Sequence, residues 1–272
     1  MPELAEVETI RRELEPGLKG RQIESVWWRR GGRVFRQLAN EHLLSGLKGK
    51  RILKISRRGK YLLFYLSSGK VLVIHLGMSG TLKLEDKKQK RDRHQYLELY
   101  FKNFRLSFRD PRTFGKVVVL DTDDFSLLPG LNQLGPEPLS RAFNSHWLKK
   151  KFHQRKAPVK ALLLDQRICA GVGNIYGDEA CFFAGISPLR PAGSLSEEEL
   201  KVLSRSIKKV LKEAIARIGT TIQNYQTSSG EPGGYSPRVY GREAEACFRC
   251  GRKIRRARLG NRSTYFCPGC QK

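Results

Sequence analysis

The sequence predicts an α+β protein: a β-sandwich entered through one helix, then a helical domain, then a small cysteine-bound β-hairpin. Three observations lead there. Between residues 23 and 120, short runs rich in β-branched and aromatic residues recur, each bounded by turn residues. Beyond Pro138 the apolar residues change to helical spacing. Four of the 6 cysteines are gathered at the C-terminal end in two closely spaced pairs.

Taken in order, Leu4, Val7, Ile10 and Leu14 share one face of a helix over residues 3–15, and Pro16-Gly17 is expected to stop it. Strands are predicted at residues 23–28, 52–56, 61–66 and 71–75, with Ser67-Ser68-Gly69 turning between the last two. A second hairpin pairs residues 96–101 with 104–108 across Lys102-Asn103, and a strand at 116–120 follows. Leu128-Pro129-Gly130 through Pro136-Glu137-Pro138 reads as a linker. After it, residues 159–166 are amphipathic, Gly171-Val172-Gly173 interrupts, and a second helical pattern starts near Asn174. Ser196 and Glu199 form a capping-box signature before a long helix. Its apolar stripe is Leu200, Leu203, Ile207, Val210, Ala214 and Ile218. A glycine-rich polar loop spans 227–237. The expected domains are 1–128, 129–236 and 237–272, and no internal repeat is evident.

Charge narrows the function. Lys and Arg number 52 against 26 Asp and Glu, a formal +26 over 272 residues. Such an excess suits a polyanion, because neutralising phosphates releases condensed counterions. On charge alone, a ribosome-associated or merely basic soluble protein is the alternative. No apolar run approaches a membrane span. Met1-Pro2-Glu3-Leu4 brings in acidic residues at once without an apolar signal core, so a cytoplasmic location is expected.

Cys169 and Cys181 lie in apolar, helical sequence and read as small buried hydrophobes. Cys247-x2-Cys250-x16-Cys267-x2-Cys270 is different. Each pair can present two thiolates to one ion, and four thiolates satisfy the tetrahedral preference of zinc. A site closed by four protein ligands leaves no position for water, so one structural Zn2+ is expected in a reducing compartment. Arg249, Arg252, Lys253, Arg255, Arg256, Arg258 and Arg262 make this hairpin basic enough to lie against a phosphate backbone.

Six blocks carry a family resemblance. They are Pro2-Glu3-Leu4 with Glu6-Val7-Glu8-Thr9; Arg57-Arg58-Gly59-Lys60-Tyr61; and His75-Leu76-Gly77-Met78-Ser79-Gly80. The others are Asp110-Pro111-Arg112-Thr113-Phe114-Gly115; Gly173-Asn174-Ile175-Tyr176; and Asn261-Arg262-Ser263-Thr264 before Cys267. In order and from end to end they resemble the bacterial formamidopyrimidine-DNA glycosylases. The resemblance implies a helix–two-turn–helix in the second domain and a zinc finger in the third. It also implies a monomeric enzyme of base excision repair, acting on double-stranded DNA that contains an oxidised purine and cutting the strand by β,δ-elimination.

The residue types suit that chemistry. Pro2, once Met1 is removed, is a secondary amine, and its attack on the sugar C1′ yields an iminium that is cationic at any pH. That charge acidifies the C2′ proton and lets the 3′ phosphate leave. Glu3 beside it is the implied general acid. Lys60 is the implied proton donor for β-elimination, and Arg262 serves δ-elimination. Met78, Arg112 and Phe114 match the set that fills the gap left by an everted base. His94, Arg112, Arg155 and Asn174 match contacts to the DNA backbone.

Read from the residues alone, other assignments stay open. Glu3 suits a helix start. Lys60 is one lysine at a hairpin, Arg262 one solvated arginine, and His94 a hairpin histidine. Met78 and Phe114 fit the β-domain core. Ala5 stands where the family usually has a second proline, and His94-Gln95-Tyr96 replaces a two-histidine pattern. Residues 230–240 look shorter than the family's lesion-capping loop. An endonuclease VIII-like enzyme for oxidised pyrimidines and a non-catalytic binder of damaged DNA are the rival functions. Leu4 with the Met78, Arg112 and Phe114 set favours the purine type. Pro2, Glu3, Lys60 and Arg262 together favour an enzyme over a binder, since binding alone requires no N-terminal secondary amine.

Overall fold

The structure is a computed structural model and describes residues 2–35, 41–122, 124–221 and 225–272. Its contacts divide the chain into two units, Met1–Asn132 with Ile218–Gly234, and Gln133–Arg217 with Tyr235–Lys272.

In the first unit, α1 (Leu4–Leu18) leads into β1 (Ser25–Trp28), β2 (Ile52–Arg58), β3 (Tyr61–Leu66) and β4 (Lys70–His75). Then follow β5 (Thr81–Asp86), β6 (Gln95–Tyr100), β7 (Phe104–Arg109), β8 (Lys116–Asp121) and the single turn α2 (Pro129–Asn132). The strands form two four-stranded antiparallel sheets, ordered β1-β6-β7-β5 and β2-β3-β4-β8. Alternate side chains of each sheet point inward. Leu97, Leu99, Leu106 and Phe108 of one sheet share a core with Leu62, Phe64, Leu72 and Ile74 of the other. Val7, Ile10, Leu14 and Leu18 of α1 belong to the same core. This is the expected sandwich with its leading helix.

Two local expectations fail here. Helix α1 does not stop at Pro16 but continues to Leu18. Proline in the last turn removes one backbone donor, and burial of Leu14 and Leu18 (each 0% exposed) holds the turn regardless. Strand β5 went unrecognised because only Leu82 of its six residues is buried; Leu84 remains 37% exposed.

Glu8 fastens α1 to the β2–β3 hairpin. Its carboxylate accepts from Arg11 Nη2 (2.9 Å), Arg12 Nε (2.8 Å) and Arg57 Nε (3.1 Å). Burial would raise its pKa, but the Arg11 and Arg12 hydrogen bonds and the Arg11 and Arg57 charges outweigh it, holding the carboxyl at about 2. A depressed folded-state pKa contributes stability that is complete above the ordinary value, 4.5, and is lost as pH falls toward 2. Glu8→Gln should therefore destabilise the protein at pH 7 by on the order of 1–2 kcal/mol after solvent screening. Urea unfolding from pH 7 to pH 2.5 should show the gap between variant and parent closing below pH ~4.5. A gap independent of pH would refute the ionic role.

The second unit holds α3 (Ser145–Phe152), α4 (Val159–Leu164), α5 (Asn174–Ala184), α6 (Glu197–Ala216) and the hairpin β9 (Arg255–Leu259) with β10 (Arg262–Phe266). Helix α5 packs against α4, α6 and β10. The capping box of α6 forms as expected, with Ser196 and Glu199 exchanging hydrogen bonds. Leu200, Leu203, Ile207, Val210 and Ala214 are buried, but Ile218 lies beyond the helix in a left-handed conformation (φ 56°). Its side-chain class suited the stripe; its backbone instead turns the chain out of α6. Helix α3 was not anticipated, since three consecutive lysines leave only Leu148 and Phe152 buried. Cys169 and Cys181 are both 0% exposed, as read, but only Cys181 is helical; Cys169 lies in the turn between α4 and α5. Among the described residues, no helix is long and apolar enough to cross a membrane.

Candidate active site

In the first unit Pro2 and Glu3 are buried where α1 begins. Glu3 is the N-cap, and the capping box closes through Glu6, whose Oε2 accepts from Glu3 N at 2.7 Å. Glu6 Oε1 accepts from Thr220 N at 2.8 Å. One carboxylate thus fixes the peptide that carries Pro2 and, 214 residues away in sequence, the chain at Thr220. Glu13 acts similarly two turns further along the same face, accepting from Ser228 N (2.8 Å) and Ser228 Oγ (2.5 Å). Sequence reading gave neither glutamate a role, because nothing in helical spacing reveals which distant loop supplies the donors.

Lys60 stands at the tip of the β2–β3 hairpin, where Arg58 pairs with Tyr61 across Gly59-Lys60. Gly59 takes φ 55°, the left-handed value such a tight turn requires. Arg57 Nη1 donates to Gly59 O (2.8 Å) while its Nε holds Glu8. Glu8 lies five residues from Glu3, about 7.5 Å along the helix. Lys60 is only 8% exposed. Burial, aided by the Lys60 and Lys116 charges, pushes the His75 imidazole down to about 3, so His75 is neutral. Its Nδ1 accepts from Gly77 N (3.1 Å).

Met78, Arg112 and Phe114 sit on two loops of the same unit. Met78 is 44% and Phe114 54% exposed, which removes both from the core. The Arg112 guanidinium carbon lies 5.2 Å from the Phe114 ring centre. Asp110, 0% exposed, holds both loops. Its Oδ1 accepts from Ser79 Oγ (2.6 Å) and Arg112 N (3.3 Å), and its Oδ2 from Gly115 N (2.7 Å). Ser79 Oγ in turn accepts from Arg112 N at 3.1 Å. At Gly77 (φ 63°), a Cβ would lie 2.5 Å from Gly115 N, so the loops can meet only at a glycine. Thr113, between Arg112 and Phe114, takes φ 58°, a conformation costing a β-branched residue about 1–2 kcal/mol. Half-buried His94 has its backbone tied to Asp92 Oδ1 (2.5 Å), and its carbonyl accepts from Asp110 N.

In the second unit Asn174 opens α5, and its Nδ2 donates to Ser263 O (3.1 Å), the residue after Arg262. Arg262 is exposed at the start of β10. Beneath them lies an ion pair that sequence reading missed: Lys160 Nζ to Asp178 Oδ1, 2.7 Å, both side chains 0% exposed. Lys160 also donates to Ser263 O and Thr264 Oγ1 (3.0 Å each), and Tyr265 N donates to Asp178 Oδ2 (2.9 Å). Burial, against the pull of Lys160, pushes Asp178 up to about 7. Asp178 and Lys160 thereby lock β10 onto α5 and α4. The one available signal was a lysine inside the apolar run of α4. Arg155 is exposed beyond α3, its backbone clasped by Gly193 N, which donates to Arg155 O (2.8 Å).

The four cysteine sulfurs lie within 4.8 Å of one another. Cys247 and Cys270 are 3.9 Å apart, Cys250 and Cys267 3.4 Å. A zinc tetrahedron with Zn–S of about 2.3 Å sets its sulfurs about 3.8 Å apart, so the residues fit one structural ion.

Three family models match in the expected order. The Formamidopyrimidine-DNA glycosylase N-terminal domain matches residues 1–117, the Formamidopyrimidine-DNA glycosylase H2TH domain residues 134–226, and the zinc finger found in FPG and IleRS residues 244–272. The chain belongs to the formamidopyrimidine-DNA glycosylase family. Relatives and solved structures agree with this. A formamidopyrimidine-DNA glycosylase of Thermus thermophilus is 45% identical over 275 residues, covering 100% of this chain and 98% of that protein. The crystal structure of the MutM (Fpg) protein from Thermus thermophilus superposes with a TM-score of 0.90 at 44% identity, covering 99% of this chain and 98% of that one. A Lactococcus lactis FPG mutant in complex with Fapy-dG-containing DNA superposes with a TM-score of 0.92 at 36% identity, each chain covered completely (100%). Measured against the family, the zinc finger is present in full, with its ligand set and a basic hairpin between the two cysteine pairs.

Proposed function

We propose that this chain is a bifunctional DNA glycosylase and abasic-site lyase that removes oxidised purines, 8-oxoguanine and formamidopyrimidines, from double-stranded DNA. The observation that carries this reading is the buried Pro2-Glu3 pair at the capped start of α1, with the Lys60 hairpin fastened to the same helix by Glu8. A flipped-out nucleotide presents its C1′ to the Pro2 nitrogen. The nitrogen lone pair forms the new C–N bond as the glycosidic bond breaks, and Glu3 supplies the proton that the departing base or opening sugar needs. The amine then sheds its proton, and its lone pair opens the sugar by breaking the C1′–O4′ bond as O4′ takes up a proton, leaving an iminium with a fixed positive charge. Loss of the C2′ proton then expels the 3′ phosphate, Lys60 supplying a proton, and a second elimination assisted by Arg262 expels the 5′ phosphate. Arg112, Arg155, His94 and Asn174 hold the backbone, while Met78, Arg112 and Phe114 occupy the gap. The protein acts as a monomer in the cytoplasm.

Borohydride trapping tests this reading. With mass spectrometry confirming that Met1 is absent, the protein should give a covalent adduct at Pro2 on a duplex with 8-oxoguanine opposite cytosine. An adduct only on an oxidised-pyrimidine duplex would move the substrate to the endonuclease VIII side. Tight binding with no adduct on either would leave a non-catalytic binder.

A further inference from the structure

The Asp110 carboxylate is fully buried, belongs to no step of the proposed chemistry, and accepts hydrogen bonds from three residues on two loops. These loops carry the exposed Met78 and the exposed Arg112 and Phe114. An apolar chain with no packing partner has several rotamers and a mobile backbone beneath it, so as a wedge it enters a base stack poorly. Here the backbone beneath both wedges is immobilised from one point. Ser79 Oγ, midway, donates to Asp110 and accepts from Arg112 N, coupling one loop to the other. The 2.5 Å approach available only to Gly77 removes the remaining slack, and the left-handed Thr113 turns Arg112 and Phe114 onto adjoining positions. A strained residue kept between two exposed functional side chains is the pattern expected where geometry outweighs stability.

We infer that Asp110, through Ser79, is a positioning residue that sets Met78 against Arg112 and Phe114 as one rigid probe, and so governs capture of a damaged base without entering the reaction. This rests on the proposed function of those three side chains. Once the damaged base is already missing and the strand is single, there is no stack to enter, so the probe is dispensable.

The test compares two substrates for Asp110→Asn, Ser79→Ala and Ser79→Thr. Asn at 110 keeps the volume but turns one acceptor into a donor facing Ser79 Oγ or Gly115 N. Single-turnover excision of 8-oxoguanine from duplex DNA should fall about 10- to 100-fold for Asp110→Asn and less for Ser79→Ala, with Ser79→Thr near the parent. Cleavage of a preformed abasic site in single-stranded DNA should stay within about twofold for all three. The fluorescence rise of 2-aminopurine next to the lesion, which reports probe insertion independently of chemistry, should weaken in parallel with excision. Equal losses on both substrates, or parental excision with a parental fluorescence rise, would overturn the inference. Ser79→Ala removes a partly exposed hydroxyl and keeps the test available should Asp110→Asn not fold. If the parent protein forms no borohydride adduct, the proposed chemistry fails while the fluorescence comparison still judges Asp110.

Discussion

Replacing Pro2 with glycine is expected to lower excision of 8-oxoguanine at least about 100-fold while duplex affinity stays within a few-fold of the parent. The secondary amine forms an iminium with no N–H to lose, so its charge is permanent; a primary amine forms an imine that must gain and keep a proton to serve as the electron sink. Glycine also frees the backbone that Pro2 and the Glu3–Glu6 capping box hold at the start of α1, so the amine loses its orientation as well as its character. Affinity is expected to persist because the exposed arginines of the basic hairpin and Arg155 are untouched. Single-turnover excision and a binding titration on the same duplex measure the two quantities. Unchanged excision would remove Pro2 from the reaction. A parallel loss of affinity would make its role structural.

Removing the zinc ligand Cys267 has the second large effect. Cys267→Ala should abolish zinc binding, reduce metal content from one ion per chain to none, and weaken duplex binding about 100-fold or more. Four thiolates around one ion organise a segment whose own core is small: Val239, Cys247, Ile254 and Cys267 with Phe182 of α5. Without the metal the two pairs have no reason to converge, and β9 and β10 lose their shared base. The loss reaches inward, because β10 supplies Ser263 O and Thr264 Oγ1 to Lys160 and Tyr265 N to Asp178. An ion pair with both side chains wholly buried then lacks the partners that offset its desolvation. The variant should therefore unfold at a lower temperature as well as bind less. Metal analysis, thermal unfolding and the binding titration check it together. Full duplex affinity in the zinc-free variant would exclude the hairpin from the DNA interface.

Much of this protein could be read along the chain. Seven of the eight sandwich strands were recognised, since each is rich enough in β-branched or aromatic side chains to stand out from its turns. The capping box of α6 was legible because Ser196 and Glu199 are three residues apart and satisfy each other locally. The cysteine set was legible because ligand spacing and ligand chemistry are both one-dimensional. Strand β5 escaped because half-exposed strands alternate weakly, and α3 because three lysines dilute its buried face.

What the sequence by itself determined, then, is the order and kind of the elements apart from β5, α2 and α3, the zinc set, and through the six blocks the family. What only the tertiary structure decided are the pairings between distant residues. Read from the residues alone, Met78 and Phe114 suited the core, and only the fold left them 44% and 54% exposed. Asp110 and Ser79 are 31 residues apart, Lys160 and Thr264 104, Glu6 and Thr220 214. The persistence of α1 through Pro16 depended on the pocket that receives Leu18. A local signal arises from residues whose separation the helix or strand geometry sets. Hydrogen bonds across long loops have no such period, and a buried carboxylate reveals its partners only once the chain has brought them within 3 Å.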